Sequence, residues 1–328
     1  MLYSKQKIAN KLSIAKEDLE KYIFSQGIKV SKEGKVGAKA YQTILSFYNE
    51  QPENGKAKTK KVTDSNLVFE SPDNRVAIYQ DDVISFLKKL PNKSVDLIVT
   101  DPAYSGMNQR LKLGRGKIIG KYKDKGENGK WFEEFHDTEE NYTVFLNECY
   151  RVLKENRHIY IMFDSYSMLT LGSLIRKVFE VKNILCWDKA HIGLGHYFRR
   201  RHELIIFASK GKRKLNSRSI PDVWKIKRIS PMKYPTQKPT ELFELMIIGS
   251  ADKDFLVCDP FLGSGSAAIA SIKKGCRFIG CDISKTSVKV SADRVETFLS
   301  TLVDPIQKNS LLGDDKSLAK LFLNGKFE

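Results

Sequence analysis

"VDLIVTDPAYSG", residues 95–106, is the stretch on which the fold turns. Its first six residues are mostly apolar, and the run ends abruptly on Asp101, Pro102, Ala103 and Tyr104. A short apolar run closed by turn residues reads as a buried strand. The turn has a local explanation: an Asp side chain bonds nearby backbone and Pro presets φ. By itself the stretch therefore demands no chemistry, and its neighbours decide what it does.

Working outward, short strands alternate with amphipathic segments. Strands are expected at 75–80, 158–164, 181–188, 202–209, 255–260 and 277–282. Helices are expected at 82–90, 141–154, 240–251, 266–274 and 285–299. This alternation predicts an α/β fold with a mostly parallel, doubly wound, Rossmann-like sheet over residues 66–302. Ligands of such sheets bind at the carboxyl ends of the strands. Attention thus falls on Asp101, Asp259 and Asp282, each at the end of an expected strand.

The other regions are less regular. Residues 1–50 read as a small helical module in which Ile8, Leu12, Leu19 and Ile23 keep helical spacing. Ala9, Ser13 and Leu19 occupy positions compatible with a helix-turn-helix. Residues 51–65 are polar, with Pro and Gly, and read as a linker; residues 303–328 read as a tail. Residues 105–130 form a long, basic, Gly-rich segment, and 196–233 is a second basic region. A loop as long as 105–130 inside a domain is functional or disordered.

The chain of 328 residues carries 56 Lys plus Arg against 39 Asp plus Glu, a formal charge of +17. That excess points to a polyanionic partner. Five scattered cysteines, with no CxxC pair, argue against structural zinc and a disulfide framework. No metal is expected. The absence of a long apolar run or a signal-like N-terminus places the protein in the cytoplasm, without a membrane partner.

Two motifs follow the quoted stretch. "DPFLGSGS", residues 259–266, joins a strand to a helix through Gly263 and Gly265, where the backbone can turn sharply and approach a ligand. It lacks the Lys-Ser/Thr of a phosphate-binding loop. Asp282, about twenty residues further on, suits a ribose hydroxyl or, more simply, a helix cap.

Taken together, "TDPAY", "YPTQKP" (residues 234–239) and "DPFLGSGS" resemble the DPPY, HPTQKP and FxGxG motifs of the S-adenosylmethionine-dependent DNA amino-methyltransferases. The catalytic motif precedes the cofactor loop, the permuted order of the β group. The resemblance implies a site-specific adenine-N6 methyltransferase that acts on a flipped base in double-stranded DNA. It implies catalytic roles for Asp101, Pro102 and Tyr104. Cofactor contacts are implied for Asp82, Thr236, Gln237, Lys238, Asp259, Phe261, Gly263, Ser264, Gly265 and Asp282, with Thr236, Gln237 and Lys238 at the methionine end. The basic segments imply DNA contacts from Arg110, Lys112, Arg115, Lys117, Arg199, Arg200, Arg201, Lys212 and Arg213. A cognate restriction endonuclease, a monomeric or homodimeric state, and a bacterial or phage source also fit the resemblance.

The alternatives left open are a cytosine-N4 or RNA methyltransferase and a non-catalytic DNA-binding protein on the same fold. Three positions depart from the family pattern: Ala103 for the second proline, Tyr234 for His, and Asp282 where Glu is common. Ala103 removes a restriction toward extended backbone that the second proline would impose on Pro102.

Overall fold

Residues 95–100 form the strand that the pattern predicts, β5 (Val95–Thr100), and all six residues are buried. The structure is a computed structural model. It describes residues 2–12, 16, 19–20, 23, 28–31, 33–41, 44, 66–102, 138–193, 197–230, 232, 234 and 236–307. Ala103, Tyr104 and the basic segment 105–130 lie outside the described residues, as does Ser13 of the helix-turn-helix reading.

The chain divides into two units, Met1–Lys60 and Lys61–Glu328. The first contains β1 (Leu2–Ser4), a helix (Lys5–Leu12) and β2 (Lys35–Gly37), with β1 antiparallel to β2. Its core gathers Ile8, Ala9, Leu19, Ile23, Val36, Tyr41 and Ile44. Tyr3 stacks on Tyr41 at 3.9 Å between ring centroids. The purely helical module expected here is therefore corrected: a β-ribbon closes over the face that Ile8 and Ala9 present.

The second unit is built on nine strands: β3 (Leu67–Glu70), β4 (Val76–Gln80), β5, β6 (Leu153–Phe163), β7 (Glu180–Asp188), β8 (His202–Lys210), β9 (Val223–Lys225), β10 (Leu256–Asp259) and β11 (Arg277–Asp282). Their order is β3-β4-β11-β10-β5-β6-β8-β7-β9. The run from β4 to β6 is parallel, as expected. The strand β8, in contrast, is antiparallel to both β6 and β7. The connection across 189–201 explains this, since a parallel crossover would need an intervening helix of a dozen or more residues.

Helices cover both faces. Leu97 and Val99 face one core with the helices Thr240–Ser250, Ser266–Lys273 and Lys285–Thr301. Val95 and Ile98 face the other, with Val83–Lys89, Glu139–Val152 and Ser165–Val178. Strict alternation would put Val95 with Leu97; a register irregularity between them resets the parity. Asp96, at that irregularity, is buried but paired with Lys154 at 2.8 Å and Arg157 at 3.2 Å, and it accepts the Leu256 N–H at 3.0 Å.

Two further differences have local causes. The helix Ser165–Val178 was not expected, because "SYSMLTLGSLIRKV" mixes Ser, Thr and Gly, which are weak helix formers, into its apolar stripe. Residues 304–307 are not a free tail: Asp304 pairs with Arg294, and Gln307 accepts the Thr240 N–H. Among the described residues no helix is long and apolar enough to cross a membrane.

Candidate active site

The strand order places the chemistry. The carboxyl ends of β4, β11, β10, β5, β6 and β7 share one edge of the sheet. Because β8 runs the other way, its first residues return to that same edge, with Leu204 opposite Phe163. Asp101, Asp259 and Asp282 sit there as expected, and Glu203 joins them.

Asp101 keeps 28% of its side chain exposed, so a small group can reach it. Its Oδ2 accepts a short hydrogen bond from Lys238 Nζ. Lys238 Nζ also lies 3.6 Å from Glu203 Oε2, and Lys189 Nζ lies 3.2 Å from Glu203 Oε1. Burial pushes the Asp101 carboxyl above its ordinary value; Lys238 opposes this and Glu203 reinforces it. Burial also works against ionised Glu203, but Lys238 and Lys189 outweigh it and hold that carboxyl below its ordinary value. Lys238 was expected at the methionine end of a cofactor; its ammonium instead sits between two carboxylates.

The glycine loop is held from several sides. Gly263 and Gly265 both have positive φ, +51° and +77°. The Asp282 carboxylate accepts the Gly263 N–H and the Ser284 N–H, both at 2.9 Å. Ser291 Oγ donates to the Gly263 carbonyl at 2.7 Å. Asp282 is thus a latch for the loop, with lone pairs to spare for a hydroxyl. Asp82 caps the helix Val83–Lys89 through Oδ1, accepting from Ile84 and Ser85. Phe261 packs edge-on against Phe145, 5.6 Å between centroids. Asp259 is buried and accepts the Phe261 N–H at 3.1 Å; burial, with Asp101 and Asp282 nearby, pushes its carboxyl well up.

At Gly265 a β-carbon would lie 3.1 Å from Ser291 Cβ and Oγ, whereas at Gly263 nothing comes closer than 4.0 Å. Gly265→Ala is therefore expected to cost about 1–3 kcal/mol in a urea melt, from the strained φ together with the clash. Gly263→Ala should cost less, since only φ opposes it. Equal losses would remove the Ser291 contact from the explanation.

Residues 234–239 face this loop. Tyr234, in place of the family's His, bonds Ser287 Oγ at 2.6 Å, and burial pushes its hydroxyl up to about 12. Thr236 has φ +57°, a strained conformation for a β-branched residue. Gln237 is buried, yet neither Oε1 nor Nε2 has a hydrogen-bond partner among the described residues; Thr100 Oγ1, beside Asp101, is in the same state. Leaving such groups unpaired costs about 1–3 kcal/mol each, so the site is set up for a polar ligand. Three converging carboxylates at the strand ends also suit a cation.

The structure adds one residue that the sequence reading missed at this loop. Arg294, fully buried, donates to the Ser264 carbonyl at 2.8 Å, to Ser266 Oγ at 3.0 Å and to Thr240 Oγ1 at 3.1 Å, and pairs with Asp304 at 2.7 Å. Ser266 Oγ in turn donates to the Lys238 carbonyl at 2.7 Å. One guanidinium therefore ties the glycine loop to the segment carrying Lys238.

The basic groups divide. Tyr197, Phe198, Arg199 and Arg200 are exposed on the connection between β7 and β8, at the site's edge. Arg201 is not a spare cation, because its guanidinium grips Asp188 with two bonds of 2.6 and 2.7 Å. Lys212 and Arg213 are also corrected. They follow β8 and so lie at the opposite edge of the sheet, where Arg213 bonds Asp252 at 3.0 Å and stacks over Phe255. Arg110, Lys112, Arg115 and Lys117 lie outside the described residues.

Comparison with known proteins agrees with this architecture. A family model described as DNA methylase matches residues 95–293. The chain is 29% identical over 266 residues to the Type II methyltransferase M2.MboI of Moraxella bovis, covering 74% of this chain and 93% of that protein. It is 28% identical over 258 residues to the DNA adenine methyltransferase YhdJ of Escherichia coli, covering 67% and 82%. Among solved structures, a DNA modification methylase of Thermus thermophilus superposes with a TM-score of 0.50 at 21% identity, covering 68% and 95%. The cytosine-N4-specific PvuII DNA methyltransferase superposes with a TM-score of 0.50 at 15% identity, covering 77% and 94%. These two likenesses establish the fold.

Proposed function

We propose, from the premise that the chain belongs to the DNA methylase family matched over residues 95–293, that it methylates the N6 amine of adenine at defined sites in double-stranded DNA, with S-adenosylmethionine as methyl donor. The observation that carries this reading is the partly exposed Asp101 carboxylate, held on the same sheet edge as the glycine loop. The PvuII enzyme shares the fold, so fold does not choose the base. An acidic first residue in the catalytic motif, and the adenine named for the E. coli relative, favour adenine.

When bound, S-adenosylmethionine supplies an electrophilic methyl group on a sulfonium. Gln237 and Thr236 would hold its amino-acid end, the loop 263–265 its middle, Asp282 its ribose, and Asp82 and Phe261 its adenine. The anionic strand ends suit the sulfonium charge.

The substrate amine is a weak nucleophile because its lone pair is delocalised into the ring. Asp101 accepts one amine hydrogen and the Pro102 carbonyl accepts the other. That geometry leaves the lone pair perpendicular to both bonds and facing the methyl donor. Catalysis is then orientation and electrostatics in a preorganised site. The amine is paired inside a duplex, so the base is flipped out at a cost of a few kcal/mol. Stacking on Tyr104 offsets about 1–3 kcal/mol of this.

The decisive experiment supplies labelled S-adenosylmethionine and unmethylated genomic DNA and identifies the modified nucleoside. N6-methyladenine is expected. N4-methylcytosine, or label in RNA alone, would overturn the reading.

The exposed tip of the β7–β8 connection belongs to the same reading: Arg199 and Arg200 take phosphates, and Phe198 or Tyr197 rests against bases. Replacing both arginines with Ala should lower the slope of log affinity against log salt by about 0.9 per lost phosphate contact. Phe198→Ala should weaken binding by about 1–3 kcal/mol at every salt concentration. Fluorescence anisotropy on a duplex separates the two. Unchanged affinity in both variants would move the DNA surface elsewhere.

A further inference from the structure

We propose that Glu203 is a positioning residue for Asp101: it shares the Lys238 ammonium, and so frees the Asp101 carboxylate to accept an incoming amine. This rests on the methyltransferase reading for its consequence, though not for its chemistry.

The geometry carries it. Four alternating charges run in a row: Asp101, Lys238, Glu203 and Lys189. Lys238 is only 11% exposed, so it must keep an anionic partner. If Asp101 were its only partner, releasing Oδ2 to the substrate would strand a buried cation. Glu203 Oε2, 3.6 Å away, removes that penalty. An ammonium has three donors and a flexible stem, so Lys238 can lean from one carboxylate to the other without leaving its place. Lys189, at 3.2 Å, balances Glu203, which keeps the group of four neutral.

The charges that face this pair come from four elements: Lys238 from the loop before the helix Thr240–Ser250, Lys189 from the end of β7, Glu203 from the start of β8, and Asp259 from the end of β10. Asp259 also couples to Asp101, and its carboxyl is itself pushed well up. Glu203 raises the Asp101 carboxyl. Neutralising Glu203 therefore lowers it, and the Lys238–Asp101 pair tightens.

The test is Glu203→Gln, which keeps size and removes charge, with Glu203→Asp as its conservative partner. For Glu203→Gln, kcat should fall by about tenfold to a hundredfold, with KM for the methyl donor little changed. The acidic limb of its kcat profile should move to lower pH. Glu203→Asp should return the limb toward the wild-type position. An unchanged kcat, or a fall in kcat with the limb unmoved, would overturn the proposal, since a merely structural role predicts the latter. A second readout needs neither DNA nor methyl donor: the carboxyl carbon shift of Asp101, followed by NMR through a pH titration. It should titrate at lower pH in Glu203→Gln. If it does not, the proposal fails; if it does while the wild type transfers no methyl group, only the methyltransferase reading fails.

Discussion

Asp101→Ala abolishes methyl transfer and leaves methyl-donor binding nearly intact. Removing one preorganised hydrogen-bonding group from a reaction centre costs about 10²–10³ in kcat. Asp101 should exceed that, because the variant also leaves Lys238 with Glu203 as its sole anion and draws the ammonium away from the reacting position. Asp101→Asn is the more informative control. It keeps an oxygen at the same reach but loses the charge, and its amide can point NH₂ at the amine. It should stay within about tenfold of the alanine variant's rate. Because burial raises the Asp101 carboxyl, wild-type kcat should fall at pH values above the ordinary carboxylate range, as Asp101 takes up a proton and can no longer accept from the amine. Tritium transfer from labelled S-adenosylmethionine measures the rate, and calorimetry measures binding. Turnover retained in Asp101→Ala would remove this residue from the mechanism.

The strand ends that carry this chemistry were legible because period and composition both change there. β5, β10 and β11 each close on Asp after an apolar run, and the parallel rule sends all three to one edge. What stayed hidden depends on direction and distance. The pairing of Lys238 with Asp101 joins positions 137 apart in sequence. Glu203 was hidden by its setting. It stands in "HYFRRRHE", which reads as a basic patch, and only the reversal of β8 brings it to the catalytic edge. The same reversal carries Lys212 and Arg213 away from it. Recognising that 189–201 holds no crossover helix would have corrected all three placements at once. Arg294 did leave a trace. Ser287, Ser291, Arg294 and Phe298 recur at helical spacing along Lys285–Thr301, and all are buried. An arginine on the buried stripe of a helix requires a partner. The sequence could show that need but not its answer, Asp304, which was read as the start of a tail.

Arg294→Met should unfold the second unit at markedly lower denaturant concentration, by about 3–5 kcal/mol at neutral pH, the cost of breaking a buried ion pair from one side. The loss comes from Asp304, stranded without its cation. Burial alone would raise the Asp304 carboxyl, and Arg294 now holds it below its ordinary value. A depressed carboxyl stabilises the native state above its unfolded pKa, and that contribution is lost as pH falls through the folded pKa. In the variant the sign reverses: a raised Asp304 is relieved by protonation, so the deficit against wild type should narrow as pH falls from neutral. The double variant Arg294→Met, Asp304→Leu replaces the pair with apolar groups and should recover most of the lost stability, since such replacements are often neutral or better. It should not recover affinity for S-adenosylmethionine. The hydrogen bonds from Arg294 to the Ser264 carbonyl and Ser266 Oγ are still absent, and with them the tie to the Lys238 carbonyl. Urea melts and calorimetry on the two variants separate these effects. Recovery of stability and affinity together would reduce Arg294 to a structural ion pair. Recovery of stability alone would establish it as the brace that sets the glycine loop against the Gln237–Lys238 segment.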